Sequence, residues 1–413
     1  MYIKEFRIRN YMIHQDTTLK LSPLTVFVGP NGGGKSAFFD AMLNFSMVSR
    51  GLLPQAFGPY PFSYQSTLYK GANPSVGRIS YKLTMSVKEA DTDGLTYEIE
   101  YRQSGMADDS PKFTIFNEKL VRQPSGSLLF DRSEPQAYLI SKDLPLENDR
   151  SLFSALRQRH IAGQPISTDD LVSYATQQIS RFNKFRLDPN MLAAPSRLPE
   201  IVDEAISPVA PRLGYHGEDL ASTLYYLADT KAPELDQIKE ELREIDAEFK
   251  DFEFNTVGTD RIAFSAIYSD QRKTIPSVRL SAGILMYLGL ITLVCSPNRP
   301  PVLMIEEPEN GLTPPALKSF YKAARSLALG ETPPKQSQVL ISSHSPYVIC
   351  EAWNGEDREF IHQVKIVGGK AQIRKFSDII AAQEIHLAQD KETGKRTHLG
   401  LNVAEQVMSG YWS

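Results

Sequence analysis

The segment Gly29–Ser36, which reads GPNGGGKS, constrains the fold more than any other part of this 413-residue chain. It follows the apolar run Leu24–Val28, which is typical of a buried strand, and it leads into Ser36–Val48, whose pattern predicts a helix. Glycines allow a tight turn that directs backbone N–H groups toward phosphate oxygens, and the helix N-terminus adds partial positive charge. A strand, a glycine loop and a helix in this order predict a phosphate-binding loop.

This loop predicts ATP and Mg²⁺ as cofactors. Lys35 is expected to reach the β- and γ-phosphates, and the Ser36 hydroxyl is expected to ligate Mg²⁺. The residues expected to contact the nucleotide from this segment are Gly29, Asn31, Gly32, Gly33, Gly34, Lys35, Ser36 and Ala37.

The segment Pro301–Glu309, PVLMIEEPE, is the second part of the expected site. Four apolar residues followed by two carboxylates predict a buried strand that ends in acids, and open α/β sheets bind their ligands at that end. We expect Glu306 to hold Mg²⁺, directly or through water, and Glu307 to polarise the attacking water.

Two shorter segments complete the pattern. The sequence LSAG at 280–283 predicts a helix N-terminus that could bind an anion through Ser281 and Gly283. The sequence SSHSP at 342–346 follows the apolar strand 338–341, and a histidine at a strand end can contact a γ-phosphate or orient water. We therefore include His344 in the site.

Together GPNGGGKS, LSAG, VLMIEEPENGL and ISSHSP resemble the ABC-type ATPases of the SMC, RecF and OLD (overcoming lysogenization defect) group, and the OLD-like ATPases most closely. The segments FNKFRLDPN (182–190) and GYHGEDLASTL (214–224) resemble the middle of that family, so the resemblance covers most of the chain.

The resemblance implies a mechanism. Two copies of the chain would enclose two ATP molecules, each between the loop of one copy and Ser281–Gly283 of the other. Glu307 would be the general base and His344 would sense the γ-phosphate, while Asn310–Leu312 would couple the two sites. A homodimer or higher oligomer is therefore an expected partner state.

The sequence departs from the pattern at three points. Glu306 stands where most P-loop proteins have Asp, and the signature stops at LSAG without a following Gln. The glutamine loop is not identifiable, and Gln65 and Gln123 are the candidates.

Alternating patterns indicate an N-terminal antiparallel hairpin from Arg78–Val87 and Leu95–Tyr101. Strands and helices alternate again in the last third. These patterns predict an α/β fold with an N-terminal antiparallel β-subdomain and a helical insertion. The resemblance implies that this fold is an ABC-type (SMC/RecF-like) P-loop NTPase head. We expect an N-terminal ATPase lobe at 1–150, a mainly helical insertion at 151–260 and a C-terminal ATPase lobe at 261–413.

The formal net charge of −4 gives no overall positive field, although a local basic stripe could still bind DNA. The candidates are Lys4, Arg7 and Arg9 near the start, and a second group that comprises Arg157–His160, Arg181, Lys184 and Arg186. The longest apolar run, near 284–295, is too short to span a bilayer, and no signal peptide is evident, so a cytoplasmic protein is expected.

OLD nucleases continue into a Toprim domain with metal-binding acids. Here Glu384, Asp390 and Glu392 lie in a polar stretch that is typical of a solvated loop, so no nuclease is expected in this chain. The leading interpretation is an ATPase subunit of a bacterial anti-phage defence or toxin-like system that gates a separate effector, such as a nuclease. The alternatives are a RecF-like DNA-repair ATPase that binds DNA directly, a transporter's nucleotide-binding subunit, and a nucleotide-bound scaffold with little turnover.

Overall fold

The structure is a computed structural model. It describes the whole chain except residues 54, 58–62, 74–75, 108–109, 134–146, 168, 200–210, 270–273, 331–336, 356, 383–387, 390–395, 401–403 and 405–413. Glu384, Asp390 and Glu392 lie outside the described residues.

Eighteen strands are present in the described residues. In chain order they are β1 (Tyr2–Tyr11), β2 (His14–Lys20), β3 (Leu24–Val28), β4 (Ile79–Ser86), β5 (Gly94–Ala107), β6 (Ser110–Gln123), β7 (Leu128–Asp131), β8 (Asn183–Phe185), β9 (Ser196–Arg197), β10 (Phe249–Val257), β11 (Arg261–Tyr268), β12 (Thr274–Pro276), β13 (Val302–Glu306), β14 (Gln338–Ser343), β15 (Ile361–Val367), β16 (Lys370–Lys375), β17 (Ala388–Gln389) and β18 (Arg396–His398).

Eleven α-helices are present in the same part of the chain. They are α1 (Lys35–Ser49), α2 (Tyr64–Thr67), α3 (Leu152–Ile161), α4 (Asp170–Ile179), α5 (Pro189–Ala193), α6 (Leu220–Asp229), α7 (Pro233–Ile245), α8 (Ala282–Cys295), α9 (Pro314–Leu329), α10 (Pro346–Asn354) and α11 (Phe376–Ala382).

The chain divides into two compact units. The first comprises Met1–Phe182 and His362–Ala382, and the second comprises Asn183–Ile361 and Gln383–Ser413. These units follow from which residues lie together in space. The expected division into two ATPase lobes and an insertion, with boundaries at 150 and 260, stays a prediction.

The first unit contains an antiparallel sheet in the order β2-β1-β4-β5-β6-β7. Helix α1 packs on it through aromatic rings, since the Phe45 ring lies 5.7 Å from the rings of both Phe6 and Tyr81. Buried Asn44 of α1 accepts hydrogen bonds from the hydroxyls of Tyr81 and Tyr101, so its polar group is satisfied inside this core. The same unit holds β3 beside β15, which pairs antiparallel with β16.

The second unit contains the parallel strands β14, β13 and β8, in that order. All five residues of β13 are buried, as expected for a strand covered on both faces. A separate sheet is formed by β10, β11 and β12, with β9 also pairing with β11. The nearly all-apolar helix α8 is buried from Leu285 to Val294.

The N-terminal antiparallel β-subdomain and the α/β alternation expected from the sequence are both present. Strand β3 begins and ends at the predicted residues. The described residues of the region 151–260 form five helices and three strands, and one of these strands, β8, lies beside β13. None of the helices in the described part of the chain combines the length and the apolarity that a bilayer crossing requires.

Candidate functional site

The glycine loop lies in the first unit between β3 and α1, and it is seated against β15. Gly29 has φ +145°, a conformation that side chains rarely adopt, and a Cβ there would lie 2.2 Å from the carbonyl oxygen of Val364. A Cβ on Gly33 would lie 2.8 Å from the same oxygen. Only glycine allows this close approach, so β15 fixes the path of the loop.

The beginning of α1 offers its N–H groups without competition from its own side chains. Its N-cap is Gly34, with φ 110°, and no side chain caps the helix. The first turn contains no acidic residue, and Ser36 is exposed there. Four N–H groups of a helix N-terminus lack intrahelical partners, so this end is suited to bind phosphate.

Two side chains hold the loop in shape. The Lys35 ammonium group donates to the carbonyl oxygens of Gly29, at 2.7 Å, and Pro30, at 3.1 Å. Buried His14 lies behind the loop, with Nε2 3.4 Å from the Gly34 carbonyl oxygen and Nδ1 3.0 Å from the Thr17 hydroxyl. Burial lowers the pKa of His14 to about 4, so the imidazole is neutral at pH 7.

The acidic strand lies in the second unit, where β13 carries Glu306 at its C-terminal end. The side chain of Glu306 is 3% exposed, and its Oε2 pairs with the Lys184 ammonium at 3.3 Å. The Tyr215 hydroxyl lies 3.2 Å from the same oxygen. Burial raises the pKa of Tyr215, which keeps its hydroxyl protonated as a donor. Glu306 therefore ends β13 in a buried, paired site.

Glu307 follows directly, and two side chains hold it. Its Oε2 accepts from the Arg186 guanidinium at 2.8 Å and from the Asn310 amide at 3.0 Å. The backbone of Glu307 has φ +49°, which is uncommon for a residue with a side chain, and its N–H donates to the Ser342 carbonyl at 2.8 Å. The peptide group at the end of β13 is thus fixed to β14.

His344 follows β14 and lies close to two of the three acids of the EEPE segment, Glu307 and Glu309. Its Nδ1 lies 3.2 Å from Glu309 Oε1 and 3.9 Å from Glu307 Oε1. Glu309 Oε1 also accepts from the His344 N–H and from the Ser343 hydroxyl, both at 2.8 Å. The structure therefore brings Glu306, Glu307 and His344 together at the C-terminal ends of β13 and β14 in the second unit.

The predicted signature segment begins α8 in the same unit. Ser281 is its N-cap, and its hydroxyl accepts from the Ile284 N–H at 3.2 Å. A Cβ on Gly283 would lie 3.0 Å from the Gly311 carbonyl oxygen, so the start of α8 lies against the segment Asn310–Leu312. Helix α8 therefore begins where the sequence predicts a helix N-terminus, and this N-terminus is exposed.

Sequence reasoning missed the side chains that support the acids. These are Lys184, Arg186, Tyr215 and Glu309. The first two belong to or follow β8, which pairs in parallel with β13, so residues more than one hundred positions apart come into contact. In the sequence NKFR, Lys184 and Arg186 alternate with Phe185. Alternation of charged and aromatic residues is the one local hint of a strand here, and it covers very few residues.

The prediction that Lys184 belongs to a DNA-facing surface is wrong because its side chain is buried, whereas Arg186 is 52% exposed and its placement in such a surface stays a prediction. Lys184 is 8% exposed because its ammonium group is paired with Glu306, and the Arg186 guanidinium is paired with Glu307. Among the N-terminal candidates, Arg7 pairs with Asp16 at 2.6 Å.

The remaining candidates have these positions. Arg9 lies 3.6 Å from Asp16, and the Lys4 ammonium donates to the Asp91 carbonyl. Gln65 lies in α2, and Gln123 ends β6 with its amide 3.2 Å from the Thr96 hydroxyl. Within the part of the chain that the structure describes, no hydrogen bond joins either glutamine to a predicted site residue, and the position of the glutamine loop stays open.

Glu306 fits a magnesium ligand. Its Oε1 atom is buried and has no hydrogen-bond partner among the described residues. A carboxylate oxygen is the type of ligand that Mg²⁺ prefers, and this ion is commonly bound by one or two protein carboxylates together with substrate phosphates. The described residues contain no group of three or more His, Cys, Asp or Glu side chains suited to a metal.

Comparison with protein families gives one match that spans most of the chain. A family model described as "AAA domain, putative AbiEii toxin, Type IV TA system" matches residues 24–350. The match includes the glycine loop, the signature segment, the acidic strand and His344. A search of curated protein sequences found no match.

Solved structures of SMC head domains are similar to the chain. The SMC head bound to the C-winged helix domain of ScpA has a TM-score of 0.54 at 12% identity, with 92% of this chain and 99% of that chain covered. The SMC head domain from Thermotoga maritima has a TM-score of 0.42 at 14% identity, with 91% and 99% covered. The first of these shows that the chain has the α/β fold of an SMC head, a P-loop NTPase fold, as the sequence predicts.

Proposed function

The chain belongs to the AAA-domain family whose description continues "putative AbiEii toxin, Type IV TA system", and from this premise we propose that it binds and hydrolyses ATP. The observation that carries the proposal is the conformation of Gly29–Ser36. Its glycines seat the backbone on β15, and α1 presents an uncapped N-terminus without acidic residues in its first turn. Such a loop binds a triphosphate through backbone amides and one ammonium group.

In the proposed reaction each residue has a defined task. The loop amides and Lys35 bind the phosphates, and Ser36 and Glu306 would hold Mg²⁺, which would neutralise part of the charge on the phosphate oxygens. Glu307 acts as general base and orients the attacking water. His344 contacts the γ-phosphate. The contacts of Glu307 with Arg186 and Asn310 support its role, since a base must be held in a defined geometry.

The ATP-bound chain is proposed to pair with a second copy. Ser281 and Gly283 of one copy would complete the site on the loop of the other, and hydrolysis would release the pair. The exposed N-terminus of α8, with its N-cap Ser281, supports this assignment because a helix N-terminus stabilises anions.

The biological setting that we propose is a bacterial anti-phage defence or toxin-like system in which the ATPase cycle gates a separate effector protein, such as a nuclease. The family description and the OLD-like motifs GPNGGGKS, IEEPENGL and SSHSP support this setting. Co-purification that requires ATP and is lost in a Lys35→Ala variant would identify the effector.

The decisive experiment replaces the proposed base. We expect Glu307→Gln to bind ATP with unchanged affinity and to hydrolyse it about 10²–10⁴-fold more slowly, because the amide cannot accept the proton. The measurements are ATP affinity by calorimetry with magnesium and hydrolysis by phosphate release.

Two further variants make this result interpretable. Lys35→Ala should lose tight ATP binding, since its ammonium group is the loop's only side-chain charge for the triphosphate. Glu253→Gln, which changes an exposed carboxylate in β10, is the matched control and should hydrolyse ATP at the wild-type rate. Wild-type turnover in Glu307→Gln would refute the assignment of the base.

A further inference from the structure

The two carboxylate oxygens of Glu307 have different surroundings. Oε2 accepts two hydrogen bonds, from Arg186 at 2.8 Å and from Asn310 at 3.0 Å. Oε1 lies 3.9 Å from His344 Nδ1, beyond hydrogen-bonding distance. One oxygen is therefore anchored on both sides, and the other faces the histidine loop.

Both main-chain polar groups of Arg186, its N–H and its carbonyl, have a partner. Its N–H donates to the Tyr215 carbonyl at 2.8 Å, and its own carbonyl lies 3.0 Å from His216 Nδ1. The Asp188 N–H donates to the His216 carbonyl at 2.9 Å. The segment 214–218 thus holds the main chain of Arg186 in place. The Tyr215 hydroxyl of the same segment also contacts Glu306.

This ion pair is too exposed to contribute much to stability. The Arg186 side chain is 52% exposed and that of Glu307 is 20% exposed. Exposed pairs typically contribute less than about 1 kcal/mol because water screens them. A planar guanidinium nevertheless fixes the direction of the carboxylate that it contacts. The contact is therefore better suited to orient Glu307 than to stabilise the fold.

We propose that Arg186 is a positioning residue for Glu307: it holds Oε2, together with Asn310, so that Oε1 is the oxygen that accepts the proton of the attacking water. The inference rests on the proposed function, since it assigns a role relative to the hydrolysis of ATP. The left-handed backbone of Glu307 agrees with it, because φ +49° is retained where surrounding contacts determine the geometry.

The test is a pair of substitutions at Arg186. We expect Arg186→Gln to lower kcat about 10–100-fold, because a misdirected base loses the near-attack geometry. KM for ATP and the thermal unfolding midpoint should stay close to those of the wild type. Arg186→Lys, which keeps the charge without the planar fork, should recover part of kcat. Arg261→Gln, at an exposed position at the start of β11, is the matched control.

A double-mutant cycle with Glu307→Gln separates positioning from direct contact with the nucleotide. If Arg186 acts through Glu307, adding Arg186→Gln to the Glu307→Gln variant leaves the residual single-turnover rate unchanged. A further fall of the same 10–100-fold in that background would overturn the inference, since the guanidinium would then act on the phosphates directly. A rise in KM without a fall in kcat would overturn it as well.

The failure of this inference is distinguishable from that of the proposed function. An active wild-type chain whose Arg186→Gln variant hydrolyses ATP equally fast would overturn the positioning role alone. A wild-type chain that neither binds nor hydrolyses ATP would overturn the proposed function and the positioning role with it.

Discussion

Glu309 connects the acidic strand to the histidine loop through a single oxygen. Its Oε1 accepts from the His344 main-chain N–H and lies 3.2 Å from His344 Nδ1. A carboxylate at Nδ1 favours the tautomer that carries its proton there, which leaves Nε2 directed away from Glu309. Glu309 therefore orients the imidazole as well as the loop that carries it.

We predict that Glu309→Ala lowers kcat for ATP hydrolysis roughly 10-fold or more, because His344 loses both its main-chain anchor and its ring partner. ATP affinity should change little, since the phosphate-binding loop is untouched. Steady-state kinetics and calorimetry measure the two quantities. In a His344→Ala background the same substitution should have almost no further effect on kcat. A full additional loss there would contradict the link between these two residues.

His14 is a second residue whose chemistry follows from its position. It is fully buried against the Gly34 carbonyl, and its pKa is lowered from 6.5 to about 4 by burial. The unfolded chain therefore binds a proton between pH 6.5 and 4 that the folded chain does not. The stabilisation is complete above about pH 6.5 and is lost as the pH falls toward 4.

We predict that acidification from pH 7 to 4.5 costs the wild type about 2–3 kcal/mol more unfolding free energy than it costs a His14→Gln variant. Glutamine keeps an N–H donor for the Gly34 carbonyl but does not titrate. Urea unfolding of both proteins at the two pH values gives the difference, and the other titrating groups contribute equally to both. Equal losses in the two proteins would show that His14 is not buried in its neutral form.

At the scale of elements, the phosphate-binding loop depends on a strand from the other end of the sequence. Strand β15 supplies the Val364 carbonyl against which Gly29 and Gly33 lie. The loop is thus shaped by two elements, β3 before it and β15 beside it, and not only by its own glycines.

We predict that Gly29→Ala weakens ATP binding at least about 10-fold and lowers the free energy of unfolding by about 2–3 kcal/mol, because its Cβ would lie 2.2 Å from the Val364 carbonyl and φ is +145°. Chemical unfolding and calorimetry measure both effects. Gly126→Ala, at φ +72° in the turn between β6 and β7 with no atom within 4 Å of its Cβ, is the control. It should cost only about 1 kcal/mol and leave ATP binding intact. Equal effects of the two substitutions would contradict the role of β15.

The elements that the sequence predicted well are those whose signal is local. The loop at 29–36 lies between the predicted strand and helix. Strand β13 ends at Glu306, and β14 ends directly before His344. These elements can be predicted locally because a buried face requires apolar residues at the spacing typical of a strand or a helix. The fold class followed from their order along the chain.

The side chains that contact Glu306 and Glu307 could not be predicted in the same way. Arg186 and Glu307 are separated by 121 positions, and their contact depends on β8 pairing with β13. A three-residue strand has too weak a pattern to be assigned from sequence alone, and its partner is fixed only by tertiary packing. The same holds for Tyr215, which reaches Glu306 from an irregular segment.

At the scale of the whole molecule, the outer charges of the antiparallel sheet are paired across strands. Lys82 lies 2.8 Å from Glu98, Arg78 lies 2.7 Å from Glu100, and Arg7 lies 2.6 Å from Asp16. The formal net charge of the chain is −4, and in each of these pairs a carboxylate offsets the positive charge of its partner.

We predict that ATP and magnesium convert the Glu307→Gln variant from a smaller species to a dimer or higher oligomer, as measured by light scattering. Adding Ser281→Asp should prevent this conversion, because aspartate keeps the N-cap of α8 but opposes a triphosphate with a negative charge. Ser281→Thr keeps both the cap and the neutral hydroxyl, and it should associate normally. Both variants should bind ATP as the parent does. Association of the aspartate variant would contradict the role of Ser281.

Strand β8 has a consequence for preparations of the protein. Lys184 lies in β8 and Arg186 directly follows this strand, and each pairs with one of the two acids. A shift of β8 by one residue relative to β13 would therefore move both cations away from the acids at once. Mispaired molecules would retain most of their core, but neither acid would keep its cation, so they would contribute little to turnover. Titration of active sites in a damaged sample would then find fewer competent molecules, each turning over at the normal speed.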